Sequence, residues 1–510
     1  MMIKNVIETI DSFAETQGDT IAYDELGVQH TYAQLKDASD ALAAFIETQD
    51  IAEKAPIMIY GGQQFDMIAS FLASVKSGHA YVPVDVNSAE ERLTDIIEIG
   101  QPALIIAVDD LPITVTKVPV VKKEALRAIF EAKTSFTLSQ PVSGDDNFYI
   151  IFTSGTTGKP KGVQISHDNL LSFSNWMLGD DFAWESGSNV LSQPPYSFDL
   201  SVMDWVPALL SHGTLKALHK QTADDFKSLF KTLPTLNLHK WVSTPSFADV
   251  ALLDPEFKQS VHPNLSAFFF CGEVLTKTTA EKLLARFPDA HIYNTYGPTE
   301  ATVAVTSIPI TQAVIANNNK MPIGYVKADT EIVIQDADGE MVADGEPGEI
   351  IIVGPSVSRG YLNNPEKTAA AFTTVNGQQA YRTGDLAIRD KDGLLHYKGR
   401  SDFQIKLHGF RIELEEVAQQ LQQSQWVEQA VAIPRYDADG KVKQLLAIIV
   451  AKDNDFEKPI LLTNAIKAEL ENIMMPYMVP SRFMYRESLP LTPNGKIDLK
   501  GLIAEVNGNA

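Results

Sequence analysis

At 510 residues the chain exceeds what one hydrophobic core serves, since single cores stop growing near roughly 250 to 300 residues, and several packed units are expected. With 45% hydrophobic and 21% charged residues it has the composition of an ordinary globular protein, which excludes the disordered class. Its 42 Lys plus Arg against 65 Asp plus Glu give a net charge of −23, which argues against nucleic acid or an anionic membrane as partner, so anionic ligands must meet local basic or backbone sites.

Met1 to Thr16 lacks an uninterrupted apolar core and predicts an amphipathic helix, with Ile3, Val6, Ile7 and Ile10 near helical spacing, rather than a signal peptide. From about 30 to 320, helical patterns such as Tyr32 to Ile46 alternate with the short apolar runs Ile57 to Tyr60, Ala103 to Val108, Phe148 to Phe152 and Ala267 to Phe270. That alternation predicts an α/β fold with parallel sheets covered by helices. From about 321 to 400 the pairs Asp338-Gly339, Asp344-Gly345 and Asp392-Gly393 punctuate runs such as Glu331 to Ile334 and Glu349 to Val353, the texture of antiparallel hairpins. A domain boundary is expected at Arg400 to Phe403, followed by a smaller α+β segment with a helix near Glu413 to Gln423 and a strand near Gln444 to Ala451. The expected organisation is a core over 1–400, with its β-rich subdomain at about 321–400, and a C-terminal domain over 401–510. No run reaches about 18 uncharged apolar residues, so no membrane insertion is expected. The single Cys271 has no internal disulfide partner, which fits a reducing compartment, with cytoplasm as the default. Asn264-Leu265-Ser266 matches a glycosylation triplet, which would be idle there.

The densest chemical signal is Thr153-Ser-Gly-Thr-Thr-Gly-Lys-Pro-Lys-Gly162, which follows the apolar run Tyr149 to Phe152 directly. A strand thus delivers a loop suited to polyphosphate. Gly155 and Gly158 let backbone N–H groups turn inward, Thr153, Ser154, Thr156 and Thr157 offer hydroxyls, and Lys159 and Lys161 supply charge. It is not a Walker loop, because only two residues separate Gly155 from Gly158 and Pro160 follows Lys159. A flexible surface hairpin is the competing reading of this stretch alone.

Seven further motifs lie downstream in order: Tyr196-Ser-Phe-Asp199, Asn294-Thr-Tyr-Gly-Pro-Thr-Glu300, Gly345-Glu-Pro-Gly-Glu349, Tyr381-Arg-Thr-Gly-Asp385, Gly399-Arg-Ser-Asp402, Lys406-Leu-His-Gly-Phe-Arg411 and Pro493-Asn-Gly-Lys-Ile-Asp498. With the loop, they make the chain resemble the adenylate-forming superfamily over essentially its whole length, most closely its amino-acid-activating members. The resemblance implies a fold with two parallel-type sheets, a small antiparallel β subdomain and a small mobile α+β C-terminal domain. It also implies ATP and Mg2+ as cofactors. Thr153 to Lys159, Asn294, Tyr296, Gly297, Thr299, Asp385, Arg400 and Lys496 would bind ATP, with Tyr296 stacking on adenine and Asp385 accepting the ribose hydroxyls. Glu300 would hold the Mg2+ that bridges the phosphates. Lys496 and Arg400 would be catalytic, Lys496 contacting the substrate carboxylate and the α-phosphate as a compact charge, and Arg400 reaching phosphate or ribose. Asp402 resembles the family hinge, and Gly409 would let a phosphopantetheine arm pass close to the backbone. His408 is not expected to be a general base, and the group that deprotonates the thiol stays open.

Asp199 stands where amino-acid activators place the carboxylate that pairs with the α-ammonium, and a buried unpaired Asp would be costly or protonated, so its natural partner is a cation. By the family's pattern Leu200, Met203, Phe269, Cys271, Thr295 and Val303 line the side-chain pocket, and bulky Met203 and Phe269 leave room for a substrate as small as alanine. Cys271 reads as a wall that shapes stereoselectivity, against a purely structural role. Past Lys496 the sequence shows no carrier module, so a separate phosphopantetheinylated acyl carrier protein is expected as acceptor. The resemblance is closest to free-standing small-amino-acid activators and implies D-alanine as the acid, for D-alanylation of lipoteichoic acid. The alternatives are a stand-alone L-amino-acid adenylation enzyme and an acyl-CoA synthetase. A non-catalytic nucleotide-binding regulator is the reading from another class, and the presence of Lys496, Glu300 and the loop argues against it.

Overall fold

The computed structural model describes residues 2–155, 159–471, 473–491 and 497–508. The chain divides into two compact units, the first comprising Met1–Val86, Ile99–Phe152 and Gly162–Ser401, and the second Asn87–Glu98, Thr153–Lys161 and Asp402–Ala510.

Two large sheets, one of nine strands and one of six among the described residues, account for the α/β alternation. The nine-stranded sheet runs Tyr325–Val326, Thr306–Pro309, His291–Tyr296, Ala267–Phe270, Lys240–Ser243, Asn189–Ser192, Thr214–Ala217, Ile21–Glu25, Val28–Thr31. Its middle is parallel and its outermost pairs are antiparallel. The six-stranded sheet runs Val120–Val121, Leu104–Ala107, Ile57–Gly61, Tyr81–Asp85, Asn147–Thr153, Lys161–Ser166. Its strand Ile57–Gly61 is buried along its whole length, as a parallel strand covered on both faces requires, which is why that stretch reads as a continuous apolar run without alternation.

Caps explain where the helices begin. The predicted N-terminal helix starts at Val6 rather than near Met1, because Asn5 accepts from the N–H groups of Ile7 and Glu8, leaving Ile3 packed ahead of it. Thr31 and Gln34 form a capping box at the head of Tyr32–Glu47. A second box, Ser166 with Asn169, opens His167–Met177, and the Asn169 amide also donates to the carbonyls of Pro355 and Val357 at 2.7 and 3.1 Å. One side chain therefore caps the start of a helix and anchors the 355–358 loop, which matters below.

The antiparallel sheet of this unit begins at Glu331, since Tyr325–Val326 pairs with Thr306–Pro309 and forms the edge of the nine-stranded sheet. Its strands are Glu331–Gln335, Gly348–Val353, Phe372–Val375, Gln378–Arg389 and Leu395–Arg400. The Asp392-Gly393 signal closes a tight turn: the Asp390 carboxylate accepts from the N–H groups of Asp392 and Leu394, each at 2.9 Å.

In the second unit a hairpin, Gln404–Leu407 with Phe410–Glu413, leads into the helix Leu414–Leu421 and a sheet of Val427–Tyr436, Val442–Ala451 and Arg482–Tyr485. The hairpin turns on His408 (φ 52) and Gly409 (φ 84), two left-handed residues in a row, the backbone a two-residue turn demands. The Phe410 ring stacks flat on Tyr477 with centroids 3.9 Å apart. Ile412, Leu414, Val417, Ala447 and Ile466 lie in this unit's core.

Candidate active site

The register of one hairpin sets the first element of the site. Asp385 and Arg400 are direct cross-strand partners on Gln378–Arg389 and Leu395–Arg400, and the Arg400 guanidinium donates to Asp385 Oδ1 at 2.7 Å and to the Thr383 carbonyl at 3.0 Å. The Tyr296 hydroxyl donates to Asp385 Oδ2 at 2.6 Å. Tyr296 itself ends the strand His291–Tyr296, so a ring from the large sheet and a carboxylate from the antiparallel sheet are locked together. Burial, reinforced by the Asp385 charge, pushes the Tyr296 phenol well above its ordinary range and keeps it a neutral donor. The Tyr397 hydroxyl also donates to Asp385 Oδ1, at 3.4 Å, so of the about four lone-pair directions of a carboxylate these three donors take all but one, on Oδ2. Glu349, from the Gly345 to Glu349 motif, accepts from the Gly384 N–H at 3.0 Å and from Arg382 at 2.6 Å, fixing the turn that presents Asp385. Asn294 points elsewhere and donates to the Pro322 carbonyl at 2.7 Å.

The second element is the segment from Gly297 to Ala304. A Cβ on Gly297 would meet Ala304 Cα at 2.5 Å and the Val303 carbonyl at 2.8 Å, so only glycine lets the chain double back here. Thr299 opens a single 3-10 turn, Thr299–Ala301, carrying Glu300, whose relative exposure is 0%. The Tyr361 hydroxyl donates to Glu300 Oε1 at 2.8 Å. Thr302 and Val303 then adopt φ values of 56 and 69, a left-handed pair unusual for β-branched side chains. The 355–358 loop pins this strain: the Thr302 hydroxyl donates to the Ser356 carbonyl at 2.7 Å and the Ser358 N–H to the Glu300 carbonyl at 2.8 Å. One buried carboxylate suits Mg2+, which is usually held by one or two carboxylates, with substrate phosphates and waters completing the shell.

The residues expected to line the side-chain pocket are all buried. Leu200, Met203, Phe269, Cys271 and Val303 belong to one buried cluster, and the Cys271 thiol lies 3.6 Å from the Val303 carbonyl. The alternation of Ala267–Phe270 explains which aromatic residues contribute. Phe269 and Cys271 face that cluster, whereas Phe268 and Phe270 pack in a second one. The Phe269 ring stacks on Tyr293 with centroids 5.1 Å apart and packs against Trp184 and Phe182. Thr295 is tied to the Phe270 carbonyl at 2.9 Å. Asp199, with 6% relative exposure, occupies the N-cap position of Leu200–Leu210 without capping it by its side chain. Burial, with the Asp199 charge adding, raises the nearby Tyr149 phenol far above its usual range.

In the second unit, the Ser154 hydroxyl donates to the Arg411 carbonyl at 2.8 Å and the Gly155 N–H to Glu416 Oε2 at 3.2 Å. Lys159 pairs with Asp95 at 3.3 Å and Glu98 at 3.7 Å. Asp402 Oδ1 accepts from the Gln404 N–H at 3.1 Å, and Gly409 sits at the hairpin tip already described. Thr156, Thr157, Gly158 and Lys496 lie outside the described residues. Tyr361, Thr383 and Glu416, which bond to Glu300, Arg400 and Gly155, were not legible in the sequence, since a lone Tyr, a strand Thr and a helix Glu carry no pattern of their own.

The fold and the site define an enzyme that binds adenylate, and the chain belongs to the AMP-binding enzyme family, whose main domain matches residues 10–362 and whose C-terminal domain matches residues 416–496. It is 58% identical over 506 residues to the D-alanine–D-alanyl carrier protein ligase of Lactiplantibacillus plantarum, covering 99% of this chain and 100% of that one. To the ligase of the same name from Streptococcus agalactiae serotype V it is 55% identical over 510 residues, with the same coverage. A solved holo NRPS protein containing adenylation and PCP domains, bound to a vinylsulfonamide inhibitor, superposes with a TM-score of 0.83 at 26% identity, over 98% of this chain and 84% of that one. The Vibrio cholerae adenylation domain AlmE, in complex with glycyl-adenosine-5'-phosphate, shares the fold with a TM-score of 0.83 at 22% identity, over 99% of this chain and 98% of that one. Among the described residues no helix is long and apolar enough to cross a membrane.

Proposed function

We infer that the chain is an AMP-forming ligase that activates D-alanine with ATP and passes the alanyl group to the phosphopantetheine thiol of a separate carrier protein in the cytoplasm, for D-alanylation of lipoteichoic acid. The observation that supports this reading is that Asp199, Met203, Phe269, Cys271 and Val303 are all buried and that the Cys271 thiol lies 3.6 Å from the Val303 carbonyl.

In the first half-reaction a carboxylate oxygen of D-alanine attacks the α-phosphate in line, forming alanyl-adenylate and releasing pyrophosphate. Asp199 holds the α-ammonium, so the amino acid is anchored at its cationic end while its carboxylate stays free to react. Tyr296 and Asp385 orient the nucleoside, with Arg400 fixing Asp385. Glu300 would hold Mg2+, which supplies charge neutralisation at the phosphates when bound. Lys496 meets the negative charge that develops at the α-phosphate. In the second half-reaction the carrier thiol attacks the alanyl carbonyl, forming the thioester and releasing AMP. Asp402 serves as the hinge and Gly409 as the narrow passage for the thiol arm in this step.

The test is ATP–pyrophosphate exchange across D- and L-amino acids. D-Alanine supports exchange better than L-alanine, and valine and phenylalanine support it far less, because bulky Met203 and Phe269 would favour a substrate as small as alanine. L-Alanine outrunning D-alanine overturns the assignment.

A further inference from the structure

Lys327 is 2% exposed, and a lysine is almost never that deeply buried unless its charge is paired. Its ammonium pairs with Asp329 and donates to the Ser172 hydroxyl at 2.6 Å. Ser172 in turn donates to Asp329 Oδ2 at 2.7 Å, which spends its one proton, so the Ser356 hydroxyl 3.1 Å away must be the donor to its second lone pair. Ser172 stands three residues after Asn169 on His167–Met177, and one helix face thereby grips the 355–358 loop at two points. The loop in turn grips the turn around Glu300: the Ser356 carbonyl accepts from the Thr302 hydroxyl, the Ser358 N–H donates to the Glu300 carbonyl, and Tyr361 just beyond donates to the Glu300 carboxyl. Lys327 closes the ring through its own backbone, whose N–H donates to the Val305 carbonyl at 2.9 Å.

Thr302 and Val303, at φ 56 and 69, persist in a backbone unfavourable to β-branched residues only because their surroundings over-determine it. We propose that Lys327 is a positioning residue for substrate choice: through Ser172 and Ser356 it keeps this left-handed pair in place, and with it the Val303 carbonyl beside the Cys271 thiol, so that the two enantiomers of alanine are told apart. The proposal rests on the D-alanine reading above. Enantiomers held by the same ammonium and carboxylate differ only in where the methyl points, so discrimination between them depends on the placement of the wall that the methyl meets. Lys327 acts on that wall through two hydroxyls and a backbone turn. Its loss therefore shifts the wall without removing a group that binds ATP or reacts, and the effect falls on the choice of enantiomer rather than on activity as such.

The experiment uses the full chain, MgATP and inorganic pyrophosphate, and reads the ratio of kcat/KM for D-alanine to that for L-alanine in exchange. Lys327→Met, which keeps the stem and removes the charge, lowers this ratio several-fold. Thr302→Val, which keeps the branched shape and removes the hydroxyl, lowers it likewise, while Thr302→Ser, which keeps the hydroxyl, retains the wild-type ratio. Because both losses act through one chain of contacts, the double variant Lys327→Met with Thr302→Val falls no further than the larger single loss. A change that merely loosened the fold would slow exchange with both enantiomers alike and leave the ratio where it was. If Lys327→Met does not fold, Ser172→Ala, which leaves the ammonium paired with Asp329, takes its place with the same expected fall. A wild-type ratio in the folded Lys327 or Ser172 variant overturns the proposal, as does a double variant whose loss is the sum of the two. A wild-type enzyme that itself shows no preference for D-alanine would instead overturn the D-alanine reading.

Discussion

Lys496→Ala lowers D-alanine-dependent pyrophosphate exchange by about two to three decades, the scale on which removal of one preformed charge-stabilising donor slows a reaction. The reason lies in the reaction: an anionic carboxylate approaches a polyphosphate, and the developing charge at the α-phosphate must be met by a compact cation in a site that excludes water. Arg400 does not replace it, because its guanidinium is committed to Asp385 and the Thr383 carbonyl. Transfer from preformed alanyl-adenylate to the carrier thiol is largely spared, since no charge then builds at an attacked phosphate. The two half-reactions are measured separately, by exchange and by single-turnover thioester formation, in protein with wild-type melting. Equal losses in both contradict the assignment of Lys496 to adenylation.

Asp199→Asn costs roughly 1.5 to 3 kcal/mol, or about one to two decades in kcat/KM for D-alanine, by removing one charge-assisted bond to the α-ammonium. Two effects compete here. Asp199 also lies at the N-terminal end of Leu200–Leu210, where a carboxylate gains about 0.3 to 1 kcal/mol from the helix dipole. The dipole contribution would appear in the melting temperature, whereas the ammonium bond appears only in catalysis. A variant with lowered kcat/KM and a nearly unchanged melt assigns Asp199 to the substrate. Wild-type efficiency would mean that the ammonium is read by another group.

What could be read from the sequence was local. The run Phe148 to Phe152 announced a buried strand because both its faces are covered, and Asp392-Gly393 announced a turn because its geometry demands those residues. The consequence of that turn, Arg400 brought opposite Asp385, was not legible, because register depends on the turn's length and on the bulge between Leu386 and Ala387. Long-range pairing was equally silent. Lys216 reaches Asp24 at 2.8 Å across 192 residues of sequence. The motifs named Glu300, Tyr296 and Asp385 individually, but their supports come from isolated residues such as Tyr361 and Thr383, whose types are common in any core. The left-handed Thr302-Val303 pair is the clearest case, since β-branched residues carry no signal for that backbone and the strain is held by the distant 355–358 loop.

The most direct test is to combine the full chain with MgATP, D-alanine and a separately produced phosphopantetheinylated carrier protein, and to follow the intact mass of the carrier and the release of AMP. The predicted result is a carrier heavier by one alanyl group, bound as a hydroxylamine-labile thioester, with one AMP released per carrier loaded and no gain when coenzyme A replaces the carrier. A carrier that stays unmodified while coenzyme A is acylated, or one that loads faster with L-alanine than with D-alanine, would contradict the assigned activity.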